Sequence, residues 1–368
     1  MKILVLGGTG AMGIPVVKFL AANDNEVHVT SRKKIESSGH IHYVEGNAHD
    51  LNFVKGLLRK KYDVLVDFMV YSEDEFEERI DLLLGSVGQY IFLSSARVYA
   101  GTEDELTEES DRILDVCIDD VYLQTKEYAL EKAREENIIR GLKHKNWTII
   151  RPYITFNYNR LQLGVLEKEY WLQRALKGKT IVFSKEIASK YTTMTFGDDV
   201  SRHIAKLAGN ENAYGEIFHI TNDQAVKWSE ILDCYEKVIN RETGRKVKIK
   251  LTDDDEGVAW CFGCYYQIHY DRCYNRKFSS SKINYLTQDS DYKDTLEELE
   301  HCLTEFIHSD QSFLCVNWKL EGYFDRLTKE KTCLSEIDSL KHKIAYFICR
   351  YTPYVDWSIR RARKLRSV

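Results

Sequence analysis

A chain that opens Lys2-Ile3-Leu4-Val5-Leu6 and runs straight into Gly7-Gly8-Thr9-Gly10-Ala11-Met12-Gly13 has few ways to fold. A short apolar run before a glycine cluster reads as a strand buried on both faces of a parallel sheet. A helix is predicted over 11–22, where Met12, Val16, Val17, Phe19 and Leu20 recur at helical spacing and Pro15 is tolerated in the first turn. The loop satisfies both G-x-G-x-x-G and G-x-x-G-x-x-G. Glycines lack a Cβ, so the backbone can approach a pyrophosphate whose charge meets the amides of the helix N-terminus. The placement between strand and helix, more than the triplet itself, gives the motif its specificity.

The alternation then continues, with strands predicted over 27–30, 41–44, 64–67 and 90–93 and helices over 51–59 and 76–84. Such a series builds an α/β fold: a Rossmann-type doubly wound parallel sheet with right-handed crossovers and helices on both faces. At 368 residues the chain exceeds one ordinary unit. Residues 1–154 are assigned to the dinucleotide-binding domain, with the chain returning to it around 191–225. Residues 155–310 form a smaller α/β substrate-binding portion, and 311–368 a helical C-terminal extension.

Composition excludes several classes. With 43% apolar and 30% charged residues the chain is neither disordered nor fibrous. Lys and Arg number 52 against 57 Asp and Glu, so a nucleic-acid partner is not expected from global charge. No window approaches the roughly 18 apolar residues of a membrane span, so integral membrane association is not expected. Nine cysteines, with no leader ahead of the first strand, predict free thiols in the cytoplasm. No metal site is expected either: Cys261 and Cys264, with His269 and Cys273 beyond, supply one C-x-x-C arm and no second.

Dinucleotide sites selective for NAD carry an acidic residue about 20 positions past the glycines. This chain has Ser31-Arg32-Lys33 instead. Arg32 can pair with a 2′-phosphate in bidentate fashion, which favours NADP over NAD, although stacking on the adenine would serve either. Tyr122 and Lys126 lie four apart in a run, 121–136, that reads as one helix, so both fall on one face. A phenol titrating near ~10 must be lowered by about 3 units to work at neutrality, which an adjacent ammonium and a nicotinamide cation could supply. Ser95, at the carboxyl end of the fifth strand, is the expected hydroxyl partner, and Ser94 the expected strand-end cap.

Together these features resemble the extended short-chain dehydrogenase/reductase superfamily, in its NAD-dependent epimerase/dehydratase family, over about residues 1–308. The resemblance rests on the glycine loop, Gly46-Asn47, Ser95-Ala96-Arg97-Val98-Tyr99, Tyr122 with Lys126, Ile150-Arg151-Pro152, Phe196-Gly197-Asp198-Asp199-Val200 and Phe278-Ser279-Ser280-Ser281-Lys282-Ile283. It implies Ser95, Tyr122 and Lys126 as catalytic trio, Lys126 also contacting the nicotinamide ribose, Asn47 near the adenine, and a nucleotide sugar as substrate. Ala96 and Arg97 stand where sugar 4,6-dehydratases carry Asp-Glu, which points to epimerisation through a transient ketone, or to ketone reduction. Asn47 in place of Asp, and Thr155-Phe156-Asn157-Tyr158 after Arg-Pro, depart from the pattern and suggest an unusual pocket. Relatives often form homodimers, an analogy only.

The branch this chain resembles most includes plant chloroplast proteins that bind RNA, some without enzyme activity. A coenzyme-binding protein serving RNA or a protein partner is therefore the rival reading. Arg272, Arg276 and Lys282 read as diphosphate contacts or as surface charge. The closing stretch Arg360-Arg361-Ala362-Arg363-Lys364-Leu365-Arg366 reads as a solvated helix end, or as a surface for anionic lipid or RNA.

Overall fold

The structure, a computed structural model, describes residues 1–309 and 313–366. Its centre is a seven-stranded parallel sheet of β1 (Lys2–Leu6), β2 (Glu26–Ser31), β3 (Ile41–Glu45), β4 (Tyr62–Asp67), β5 (Val87–Leu93), β6 (Trp147–Pro152) and β7 (Glu216–Ile220). The strand order is β7-β6-β5-β4-β1-β2-β3, so the direction of winding reverses between β1 and β4. At that point the carboxyl ends diverge and leave a crevice, the place where such sheets bind ligands. Leu6 pairs with Asp67 across it.

In chain order the longer helices and those that matter below are α1 (Gly13–Ala22), α2 (Leu51–Leu58), α3 (Glu73–Ser86), α4 (Asp120–Leu123), α5 (Tyr128–Gly141), α6 (Lys168–Leu176) and α7 (Gly197–Leu207). They continue with α8 (Trp228–Thr243), α9 (Asp255–Phe262), α10 (Thr295–His308), α11 (Trp318–Thr328), α12 (Leu340–Tyr351) and α13 (Tyr354–Arg366). Alternation along β1 sends Ile3 and Val5 to one core with Val16, Val17 and Leu20 of α1 and Ile204 of α7. Leu4 and Leu6 go to the other, with Val54 of α2 and Phe76, Ile80 and Leu83 of α3. Side-chain period two thus buries both faces of the strand, as its sequence required.

Two segments differ from the sequence reading. Residues 191–196 do not enter the central sheet: Tyr191–Thr192 pairs with Val226–Lys227, and Met194–Phe196 with Ile154–Phe156. Among the described residues of this stretch β7 alone rejoins it, parallel to β6. The run 121–136 is two helices rather than one. Glu127 is extended (ψ 142°) and caps α5 through Ala129 N, so the chain turns between Leu123 and Tyr128.

Residues beyond 154, joined by Ala96, Tyr99, Leu106, Tyr153 and Ile154, build a third core in which Trp171 stacks on Tyr235 at 4.3 Å. The C-terminal helices share it through Leu320, Tyr323 and Phe324. Arg174 of α6, 2% exposed, reaches Glu321 (2.7 Å), Asp325 (3.0 Å) and Glu330 (3.1 Å). The extension is therefore packed and ion-paired into the molecule.

Candidate functional site

The glycines of the opening loop divide the work. Gly7 adopts φ +71°, a left-handed turn that L side chains rarely enter, and its amide donates to Thr30 Oγ1 at 3.0 Å. A Cβ on Gly8 would stand 2.8 Å from Val5 and Val29 Cγ1, and one on Gly13 only 2.7 Å from the backbone of Gly8. These two let helix and strand close on each other. At Gly10 a Cβ would meet nothing within 4 Å. Gly10 fronts a cavity of about 320 Å³ at the winding reversal, which it shares with Gly7, Thr9, Ser31, Arg32 and Asn47. Phe68 and Met69, just past β4, form its other wall.

The remaining candidates surround that cavity or lie apart from it. Met12 packs into the core beside α1, and the Ala11 carbonyl accepts from Asn157 Nδ2 at 3.2 Å. The Ser31 hydroxyl accepts from the amide of Lys33 at 3.1 Å, which turns the chain so that Arg32 and Lys33 are exposed beyond β2. Asn47 is exposed, its Oδ1 accepting from His49 N at 3.2 Å. The space, the glycine turn and the adjacent guanidinium fit a dinucleotide's pyrophosphate and adenosine half.

The proposed proton-transfer residues are arranged differently from the expectation. Ser95 ends in the cap position of the turn Ala96–Val98, its Oγ accepting from Arg97 N at 3.2 Å. Ser94 instead donates to Glu136, which Arg151 and Arg112 hold in a buried network. Tyr122 is 1% exposed and donates to Glu127 Oε2 at 3.1 Å. Tyr270 stacks on it at 4.2 Å and Tyr266 lies at 4.6 Å, both from the substrate-binding portion. Burial, then the Glu127 carboxylate, push the Tyr122 phenol well above its ordinary range. Lys126 is 70% exposed, with Nζ 3.8 Å from Asp74. The one-face pairing of Tyr122 and Lys126 is thus not made, because the helix that would carry it is broken between them.

The same spacing recurs six residues on, and sequence reasoning passed over it. Tyr128 and Lys132 both lie on α5. Lys132 is 2% exposed, 2.9 Å from Glu135 and 4.7 Å from the Phe92 ring centroid. Burial pushes the Glu135 carboxyl up to about 7. Its signal was a second Tyr-x-x-x-Lys, placed where no turn follows it.

Three basic residues also settle differently. Arg272 (3% exposed) and Arg276 (1%) are buried, both against Asp271, with Arg276 Nε 2.9 Å from its carboxylate. Surface charge does not describe them. Lys282 pairs with Glu216 at 2.7 Å. Among the described residues, Cys261, Cys264, His269 and Cys273 do not converge as metal ligands. Glu26, His28 and His42 do approach one another, but His28 is already bonded to Glu26 and Tyr62, and Glu26 faces Lys2 at 3.4 Å.

UDP-glucuronic acid 4-epimerase from Bacillus cereus, in complex with NAD, superposes with TM-score 0.61 at 15% identity, covering 84% of this chain and 98% of that one. dTDP-glucose 4,6-dehydratase from Bacillus anthracis, in complex with NAD, gives 0.62 at 13% identity, covering 84% and 97%. The chain has the fold of these epimerases and dehydratases. Among curated proteins, the chloroplast stem-loop binding protein of 41 kDa b from Arabidopsis thaliana is 27% identical over 244 residues. That match spans 61% of this chain and 60% of the relative's length. No protein-family model matches.

Proposed function

We propose that the chain is a dinucleotide-dependent enzyme of the extended short-chain dehydrogenase/reductase type, an epimerase or reductase acting on a hydroxyl or ketone of a nucleotide sugar. The observation that carries this reading is the open cradle at Gly10, set at the winding reversal beside Arg32. Loop amides beside Thr9 and Gly10 hold the pyrophosphate, and Arg32 pairs with a 2′-phosphate, so NADP is preferred to NAD. The nicotinamide, when bound, supplies the hydride chemistry. Ser95 holds the reacting oxygen, Tyr122 moves its proton, and Lys126 lowers the phenol.

This trio works only after a local rearrangement. Tyr122 must release Glu127, and Lys126 must leave Asp74 as residues 124–127 extend α5 towards its N-terminus. A phenol raised by burial and a carboxylate stays protonated at neutrality and gives its proton up poorly, whereas an ammonium four residues along one helix reverses the electrostatic sign. Turnover of UDP-hexoses with NADP or NAD tests the reading. Tyr122→Phe is expected to keep dinucleotide binding and lose activity about 100-fold or more; undiminished activity removes the assignment.

A second reading, a nucleotide-fold protein that binds without turnover, is favoured by the Tyr122–Glu127 bond and the exposed Lys126. The stem-loop binding named for the Arabidopsis relative supplies its ligand class. It requires a stem-loop RNA to bind the full chain with salt-dependent affinity while no sugar nucleotide is turned over.

A further inference from the structure

The C-terminal helices bury one side and expose the other. Tyr346 and Cys349 of α12 face inward, as do Val355 and Ile359 of α13. Opposite them Leu340, Ile344, Phe347 and Tyr351 recur at helical spacing, 74%, 52%, 53% and 54% exposed. Across Pro353, Tyr354 and Trp357 continue the series at 47% and 53%. An exposed run of this size departs from the scattered apolar residues of ordinary surfaces and marks a contact face.

The sequence of the two helices is equally one-sided in charge. Residues 340–366 hold eight Lys or Arg against Asp356 alone, in a chain whose net charge is −5. We propose that α12 and α13 form an amphipathic docking face for an anionic lipid surface. Aromatic and aliphatic side chains enter the headgroup boundary while the cations neutralise lipid phosphates. No described helix is long and apolar enough to cross a membrane, so the attachment is peripheral.

Two features favour lipid over stacked nucleic-acid bases. The series opens with the aliphatic Leu340 and Ile344, which offer a base no π-face. The ring faces are moreover engaged already: Phe347 lies 4.8 Å from Tyr351 and Tyr354 stacks on Trp357 at 5.8 Å. Arg350 covers Tyr351 at 4.9 Å and Arg361 covers Trp357 at 5.4 Å. Rings already paired with a neighbouring ring or guanidinium leave less face free for a base to stack on.

The test is co-sedimentation of the full chain with vesicles of phosphatidylcholine and phosphatidylglycerol, against phosphatidylcholine alone. Binding to the anionic vesicles only is expected, weakening as salt rises. The double variant Phe347→Ser/Trp357→Ser, at two exposed positions, is expected to bind about tenfold or more weakly with an unchanged melting temperature. Failure to sediment with either vesicle overturns the proposal, as does equal binding by the variant. A dimer or an RNA complex that the same variant abolishes, without vesicle binding by the parent, overturns it too.

Discussion

An alanine methyl at Gly13 would press on the Gly8 backbone at 2.7 Å, whereas one at Gly10 would meet no protein atom within 4 Å. The two substitutions should therefore separate fold from ligand. Gly13→Ala is expected to lose about 1–3 kcal/mol of stability, read by thermal or urea unfolding. Gly10→Ala should melt like the parent yet bind dinucleotide more weakly, because its methyl enters the cavity. A pH signature sits at His203, fully buried on α7, where desolvation lowers the imidazole to about 4. The unfolded imidazole takes a proton below its ordinary value near ~6.5 and the folded one does not, so this group destabilises the fold as pH falls from there to about 4. Urea midpoints across that window should decline in the parent, and less steeply in His203→Gln. The packing roles of Gly8 and Gly13 were not written in the motif, but the loop's place between strand and helix was legible in the sequence. His203 was not, since its burial depends on Thr287 and Tyr292, far along the chain.

At the level of elements, the strand–helix series of the first 93 residues could be read from its apolar period, although α3 begins at Glu73, under the Ser72 cap, ahead of the 76–84 expected. The helix carrying the proposed acid–base pair could not. Residues 121–136 are rich in helix formers, yet Asp119 caps α4, Glu127 caps α5, and Arg134 donates to the carbonyls of Leu123 and Thr125 in the turn between. Side-chain caps and the Arg134 bonds overrode propensity there. Glu127 also accepts from Arg97, so one carboxylate holds the cap, the Tyr122 phenol and a guanidinium. Glu127→Ala is expected to cost about 1–3 kcal/mol, measured by denaturant unfolding. A stability equal to the parent's would show that this carboxylate does not fix the turn.

For the molecule as a whole, the C-terminal extension is a working part of the third core. Asp325, fully buried, serves Arg174, Lys179, Thr332 and Tyr346 together. Asp325→Ala removes the carboxylate that Arg174 and half-buried Lys179 share and leaves Glu321 to serve both, and a loss of about 1–3 kcal/mol is expected in thermal unfolding. Composition could not announce this contact, because its partners lie some 150 positions apart in sequence. The extension's helical character was readable; its docking was not. The account as a whole depends on a dinucleotide seated on the opening loop and read by Arg32. Isothermal titration of NADPH and NADH into the full chain measures that directly. NADPH is expected to bind the more tightly, with Arg32→Ala removing roughly a tenfold advantage. A folded chain that binds neither nucleotide would contradict it.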